Sequence, residues 1–330
     1  MVTALMSKNV YAEFEPRIQS ILKQAGVTVN FIHPPTDDSA WDIPGVDAAF
    51  LTLDIRHSAA GLQRFIDHIS KPGFQLVHFP GSGVSQHKWL EPLMARGIRA
   101  STSTGANAES VATTALTGLL MLARRAPGWV DGQRAKEWRP WSEPEAPDDI
   151  AGKTAVIVGV GAIGGNLARY LKALGMKVIG VRRSGPKPGD VTDAIVLPQQ
   201  LAAVLPECDW LFLTCPLTRE TRHLINAEAL ARMKPSAYVM NVSRGEVVDE
   251  PALIAALTAG RIAGAYLDVF EKEPLPKDSP LWDMPNVLIS PHIAALSRGN
   301  QWRATEIFIN NLVKFSRGEK LVNEQMGWAG

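Results

Sequence analysis

This chain of 330 residues has little cysteine, no long apolar run and almost no net charge. Each shortage removes a class of explanation. Only Cys208 and Cys215 occur, and neither a metal-ligand spacing nor a disulfide framework can be built from them. That scarcity fits a reducing cytoplasm. No stretch approaches the roughly 18 uninterrupted apolar residues of a membrane helix. The most apolar helical run, Ala115 to Ala123, is short and ends at Arg124-Arg125. The amino terminus, Met1 to Lys8, lacks a basic start followed by a long apolar stretch, which argues against a signal peptide. A net charge of +1 supplies no global attraction to nucleic acid or to an anionic membrane. What remains is ordinary globular material: 46% apolar and 20% charged residues, with a length that suits two domains.

The most informative segment present is Val156-Ile157-Val158-Gly159-Val160-Gly161-Ala162-Ile163-Gly164. It reads as a buried strand, a Gly-x-Gly-x-x-Gly turn and the start of a helix, the arrangement that cradles a dinucleotide pyrophosphate. Gly159 permits the tight turn, Gly161 lets phosphate approach the backbone, and Gly164 lets the helix lie close to the strand. Alone, such a turn also suits a methyltransferase or a purely structural role. The next strand ends in Arg182-Arg183-Ser184. An acidic residue there would bind a free ribose, whereas arginine offers planar, bidentate phosphate binding. The reading is therefore NADP(H) in preference to NAD(H), against the alternative of two solvated arginines.

Because this turn lies at the middle of the chain, something must fold before it. Short β-rich segments at Thr3–Met6, Thr28–Phe31, Ala48–Leu53, Leu76–Phe79 and Ile98–Ala100 alternate with helix-length segments such as Glu15–Ala25 and Ala60–Ile69. This pattern predicts a small doubly wound α/β domain. Residues 107–125 read as one long helix, followed by a Trp- and Pro-rich arm containing Trp138 and Trp141. Strands are then expected at Ala155–Val158, Lys177–Val181, Trp210–Thr214, Ala237–Val242, Ile262–Asp268 and Val287–Ser290, apolar on both faces as in a covered parallel sheet. A helix is expected over Ser297–Phe315. The expected architecture is α/β, two doubly wound domains, with a Rossmann dinucleotide-binding domain (102–295) inserted into a flavodoxin-like substrate domain (1–101 plus 296–330).

Three segments at strand ends carry chemistry: Asn241-Val242-Ser243-Arg244-Gly245, Leu267-Asp268-Val269-Phe270-Glu271-Lys272-Glu273-Pro274-Leu275 and Ser290-Pro291-His292-Ile293-Ala294. Ligands of open parallel sheets bind at the carboxyl ends of strands, so an arginine, a carboxylate and a histidine all fall on the cofactor side. With Thr214-Cys215-Pro216-Leu217-Thr218 and Ser279-Pro280-Leu281-Trp282, the ordered set resembles the D-isomer-specific 2-hydroxyacid dehydrogenase family, which includes glyoxylate/hydroxypyruvate reductases. The resemblance covers nearly the whole chain and is strongest over 104–295.

The resemblance implies a catalytic set of Arg244, Glu273 and His292. Arg244 would clamp a 2-oxo acid carboxylate and polarise its keto oxygen. His292 would be the general acid/base, and Glu273 would orient its ring and favour its charged form. Glu271 is the rival carboxylate; the family pattern favours the one just before Pro274-Leu275. The cofactor set implied is Gly159, Gly161, Ala162, Ile163, Gly164, Arg182, Arg183, Ser184, Thr214 and Pro216, with Asp268 holding the nicotinamide carboxamide. Ser82, Gly83 and Val84 resemble a loop whose amides hold the substrate carboxylate, although Ser85 and Thr113 depart from the family pattern. The implied activity is NADPH-dependent reduction of a small 2-oxo acid, glyoxylate or hydroxypyruvate first, to the D-2-hydroxy acid by a homodimer, without metal. Two rivals stay open: a dinucleotide-sensing, corepressor-like binding protein, and a related dehydrogenase acting on formate or phosphite.

Overall fold

The computed structural model describes residues 1–35, 41, 43–81, 84, 87–140 and 146–325. The chain divides into two compact units, Met1–Asn107 with Ser297–Gly330, and Ala108–Leu296.

The first unit is a wholly parallel sheet of β1 (Val2–Leu5), β2 (Val29–Ile32), β3 (Ala48–Phe50), β4 (Leu76–Phe79) and β5 (Arg99–Thr102), in the order β2-β1-β3-β4-β5. This is the flavodoxin-like order. Its first helix, Lys8–Ala25, begins well before the expected Glu15 and runs through Pro16. Val10, Phe14, Ile18 and Leu22 explain why: they form one buried row at four-residue spacing. Burying each is worth about 1.5–3 kcal/mol, enough to offset the hydrogen bond and fit lost at one proline. Gly26, with φ +65°, ends the helix in the left-handed conformation. The helix Arg298–Ser316 packs Phe308, Ile309 and Leu312 into the same core. Beyond it the chain returns to β5, where Arg99 holds Glu324 with Nε–Oε1 at 2.6 Å and Nη2–Oε2 at 3.0 Å. That return partly covers an edge strand.

The second unit is a wholly parallel sheet of β6 (Thr154–Val158), β7 (Lys177–Val181), β8 (Ala194–Val196), β9 (Trp210–Leu213), β10 (Tyr238–Asn241), β11 (Gly264–Leu267) and β12 (Val287–Ile289). The order is β12-β11-β10-β9-β6-β7-β8, so the strand sequence reverses between β6 and β9. Strand β8 is an addition to the sequence reading; its three residues are too short and too exposed to show a pattern. The helix expected over 107–125 is present as Ala108–Ala123, and a second helix that the sequence reading lacked, Ala126–Ala135, follows it. Arg125 breaks them with φ +52°, and the second helix lies where no apolar period announces one. Gly118 lets the first approach the sheet, since a Cβ there would sit 2.6 Å from the Tyr266 ring.

Candidate active site

The glycine turn divides its labour as backbone sterics demand. Gly159 has φ +100°, and a Cβ on it would lie 2.7 Å from the Cys215 backbone. A Cβ on Gly164 would lie 2.4 Å from the Gly159 carbonyl oxygen, so only glycine lets the helix Ala162–Ala173 start this close to β6. Gly161 is different, because a Cβ there meets nothing within 4 Å. That open space lies at the amino-terminal end of a helix, where first-turn N–H groups have no partner within the helix, and suits a pyrophosphate. Thr214 fastens the turn from the neighbouring strand by donating to the Gly159 carbonyl at 2.7 Å. A cleft of about 560 Å³ runs along this edge, bordered by Gly159, Gly161, Thr214, Pro216, Arg183 and Ser184. Ala162 and Ile163 open the helix beside it. The donor set and the open cradle fit a dinucleotide.

The two arginines after β7 are placed differently. Arg182 donates from Nη1 and Nη2 to Asp190 at 2.8 and 2.6 Å, from Nε to the Ser184 carbonyl at 3.0 Å and from Nη2 to the Gly185 carbonyl at 2.7 Å. Arg183 is exposed on the cleft wall. Asp190 was not visible as a site residue in the sequence; an aspartate in a Pro/Gly-rich turn reads as turn chemistry.

Arg244, Glu273 and His292 follow β10, β11 and β12 at their carboxyl ends. Buried Asn241 shapes the first loop, donating to the Arg244 carbonyl at 3.0 Å and accepting from Ser243 Oγ at 2.8 Å. Its amide is a positioning group to which the sequence reading assigned no role. His292 Nδ1 lies 2.6 Å from Glu273 Oε2, which leaves Nε2 for other chemistry. Glu271 turns elsewhere, pairing with His223 Nε2 at 2.8 Å and accepting from the Glu250 amide at 3.2 Å. Glu273, which the resemblance favours, and its rival Glu271 therefore have different histidines.

His292 sits in the left-handed region with φ +53°, a strained conformation for a side-chain-bearing residue. Its amide donates to the Asp268 carbonyl at 2.8 Å. Asp268, 1% exposed, holds the rest of the loop: its carboxylate accepts from Ser290 Oγ at 2.5 Å, Ile293 N at 2.9 Å and Ala294 N at 3.0 Å. Tyr266 Oη extends this chain to Ser290 Oγ at 2.7 Å, and burial pushes its phenol up to about 12, so it stays a donor. Asp268 thus directs its carboxylate into the His292 loop.

Of the expected substrate loop, Ser82 and Gly83 lie outside the described residues, as does Trp141 of the arm. Val84 is described and its side chain is buried in the first unit's core, so its backbone amide is what remains for a ligand. Trp138 is fully exposed. Among the described residues no group of side chains could hold a metal ion, and no helix is long and apolar enough to cross a membrane.

A Rossmann unit with an open glycine cradle and an Arg, Glu and His at neighbouring strand ends defines a nicotinamide-dinucleotide oxidoreductase. The sequence profile of the D-isomer specific 2-hydroxyacid dehydrogenase NAD binding domain matches residues 116–294, and the chain belongs to that family. It is 38% identical over 242 residues to a glyoxylate reductase of Korarchaeum cryptofilum, covering 70% of this chain and 71% of the relative. It is 41% identical over 214 residues to a glyoxylate/hydroxypyruvate reductase B of Pectobacterium carotovorum, covering 64% and 66%. Among solved structures it resembles a D-isomer specific 2-hydroxyacid dehydrogenase of Xanthobacter autotrophicus in complex with NADPH and MES. That likeness has a TM-score of 0.69 and 30% identity, over 98% of this chain and 97% of the other.

Proposed function

We propose that the protein reduces a small 2-oxo acid of the glyoxylate/hydroxypyruvate type to the D-2-hydroxy acid, with NADPH preferred over NADH. The observation that carries the reading is the 2.6 Å His292–Glu273 pair, set at strand ends in the unit that holds the glycine cradle. Glu273 fixes the imidazole through Nδ1, and Nε2 delivers the proton to the substrate oxygen as reduction proceeds. Arg244 receives the substrate carboxylate and polarises the keto group. Asp268 keeps His292 in its strained backbone position. The family resemblance adds Ser82, Gly83 and Val84 to the substrate-binding residues. The bound dinucleotide would supply the hydride. The arginines after β7 support NADPH, and so does the Xanthobacter relative bound to it. The substrate class follows the named activities of the sequence relatives.

The same reading takes the protein as a cytoplasmic homodimer. Exposed Leu120, Trp129 and Val130 on the helices after Asn107 support a second copy. Buried, unpaired Cys208 and Cys215 suit a reducing compartment. The test is oxidation of NADPH and NADH against a panel of 2-oxo acids, formate and phosphite. The expected outcome is turnover of glyoxylate and hydroxypyruvate with kcat/KM at least roughly tenfold higher for NADPH. No turnover with any 2-oxo acid would reject the enzyme reading in favour of a binding protein.

A further inference from the structure

The end of the cofactor cleft beyond β7 carries four charged side chains whose roles differ. Arg182, Arg183, Lys187 and Glu220 all border it. Arg182 is only 12% exposed as a side chain, and its guanidinium makes four hydrogen bonds to Asp190 and to the carbonyls of Ser184 and Gly185. A guanidinium has five N–H donors, so little remains to offer a ligand. Asp190 is equally committed, since one of its oxygens also accepts from the Lys187 amide at 2.7 Å. The pair closes residues 182–190 into a ring of hydrogen bonds. Arg183, Ser184 and Lys187 lie within that ring's span and are exposed. Arg183 also faces across the cleft: the Glu220 carboxyl on the far wall is held below its ordinary range by the Thr218 hydroxyl first, and also by the Arg183 charge.

We propose that Asp190 and Arg182 form a brace that sets cofactor preference from a distance, and that Arg183 and Lys187 are the cations that receive the phosphate on the adenosine ribose. The proposal rests on the NADPH reading and divides its labour. A two-arginine phosphate clamp would keep both guanidinium forks free. Here one fork is spent on preorganising the turn, which lowers the ordering cost of binding by the other. Lys187 adds a second positive charge from within the braced turn, as a mobile point charge rather than a fork. Glu220 opposes it, so the site is tuned below its greatest possible attraction for phosphate.

Calorimetric titration of the full-length protein with 2′,5′-ADP and with 5′-AMP reads this without turnover. AMP reports whether the sheet end and adenine site are intact, and the difference between the two ligands reports the extra phosphate. The wild type is expected to bind 2′,5′-ADP more than roughly tenfold tighter than AMP. Arg183→Ala should erase that preference and Lys187→Ala should reduce it about threefold. Asp190→Ala and Arg182→Ala should each weaken 2′,5′-ADP several-fold and leave AMP unchanged, and the double variant should be no worse than either single one. If Arg182 is instead a direct ligand, Asp190→Ala frees it and 2′,5′-ADP binds more tightly; that outcome overturns the brace. So does an Arg182→Ala loss equal to that of Arg183→Ala with Asp190→Ala silent. Equal wild-type affinities for the two ligands overturn the NADPH reading and the brace together.

Discussion

Both units are open parallel sheets, and in both the strand order reverses once, between β1 and β3 in the first and between β6 and β9 in the second. A crevice opens at such a reversal by geometry alone. In the second unit it is wide, about 560 Å³, because the chain leaves β6 through Gly159 and Gly161 and nothing fills the space beside Gly161. In the first unit the chain leaves β1 through Met6-Ser7-Lys8, and the crevice is only about 160 Å³. Asp54 occupies that end, accepting from Ser7 Oγ, from Thr52 Oγ1 at 2.5 Å and from the Ile55 amide at 3.0 Å. Lys8 and Arg64 also line this crevice, so what it lacks beside the other is the glycine turn and the volume rather than positive charge. Winding alone therefore makes a place for a ligand, and the residues at the first turn decide which ligand can enter.

The contrast breaks most sharply at the histidine. His292→Ala should lower kcat by about 10²–10⁴-fold while NADPH binding, followed by its fluorescence, stays within twofold. Near-normal turnover would remove the second unit's claim to the proton transfer. Next, Gly161→Val should weaken cofactor binding roughly tenfold or more without loss of fold, since its Cβ meets no protein atom. Asp54→Asn is the matching change in the first unit; it should leave cofactor affinity unchanged and cost only about 1–3 kcal/mol of stability. A cofactor defect of equal size in both variants would erase the distinction between the two crevices. The carboxylates offer a finer comparison. Glu273→Gln should reduce kcat about tenfold or more, whereas Glu271→Gln, whose side chain serves His223, should change it less than threefold. Equal losses would dissolve the assignment of separate partners.

The smallest effect on catalysis, and a distinct one on stability, belongs to His78 in the first unit. It is fully buried between Ser101 Oγ at 2.8 Å and Ser103 Oγ at 2.9 Å, and burial pushes its pKa down to about 3 from 6.5. The folded state therefore favours the neutral ring. Its contribution is complete above pH 6.5 and is lost as pH falls toward 3, at about 1.4 kcal/mol per pH unit. Denaturant unfolding between pH 7 and 4 should show this slope reduced in His78→Gln, even where the variant is less stable at neutral pH. An unchanged slope would assign the acid sensitivity to other groups.

How much of this was legible in the sequence depended on whether the signal was local. The strand Lys177–Val181 has the same ends in pattern and structure, because its short run, apolar on both faces after Lys177, is bounded by polar and turn residues. The helix Lys8–Ala25 was read too short because Pro16 is a strong local stop, while the row from Val10 to Leu22 that overrides it acts only through the core it faces. Strand β8 and the helix Ala126–Ala135 had no period to betray them. In the site, Gly159, Gly161 and Gly164 were readable because each answers a backbone demand at fixed spacing. Asp190, Asn241 and Tyr266 were not, because an aspartate, an asparagine or a tyrosine takes its role from whichever donor or acceptor the fold brings to it.

By itself, then, the sequence determined the alternation of strands and helices, the glycine turn and the order of Arg244, Glu273 and His292, all of which are properties of neighbours in the chain. The family pattern favoured Glu273 for His292, and tertiary structure alone decided that Glu271 meets His223 instead. It also decided that Arg182 is committed to Asp190 while Arg183 faces the cleft, and that the carboxylate of Asp268 turns into the His292 loop. The reason is physical: a charged side chain is defined by the partner within about 3 Å of it, and that partner is chosen by packing across the sheet, not by proximity along the chain.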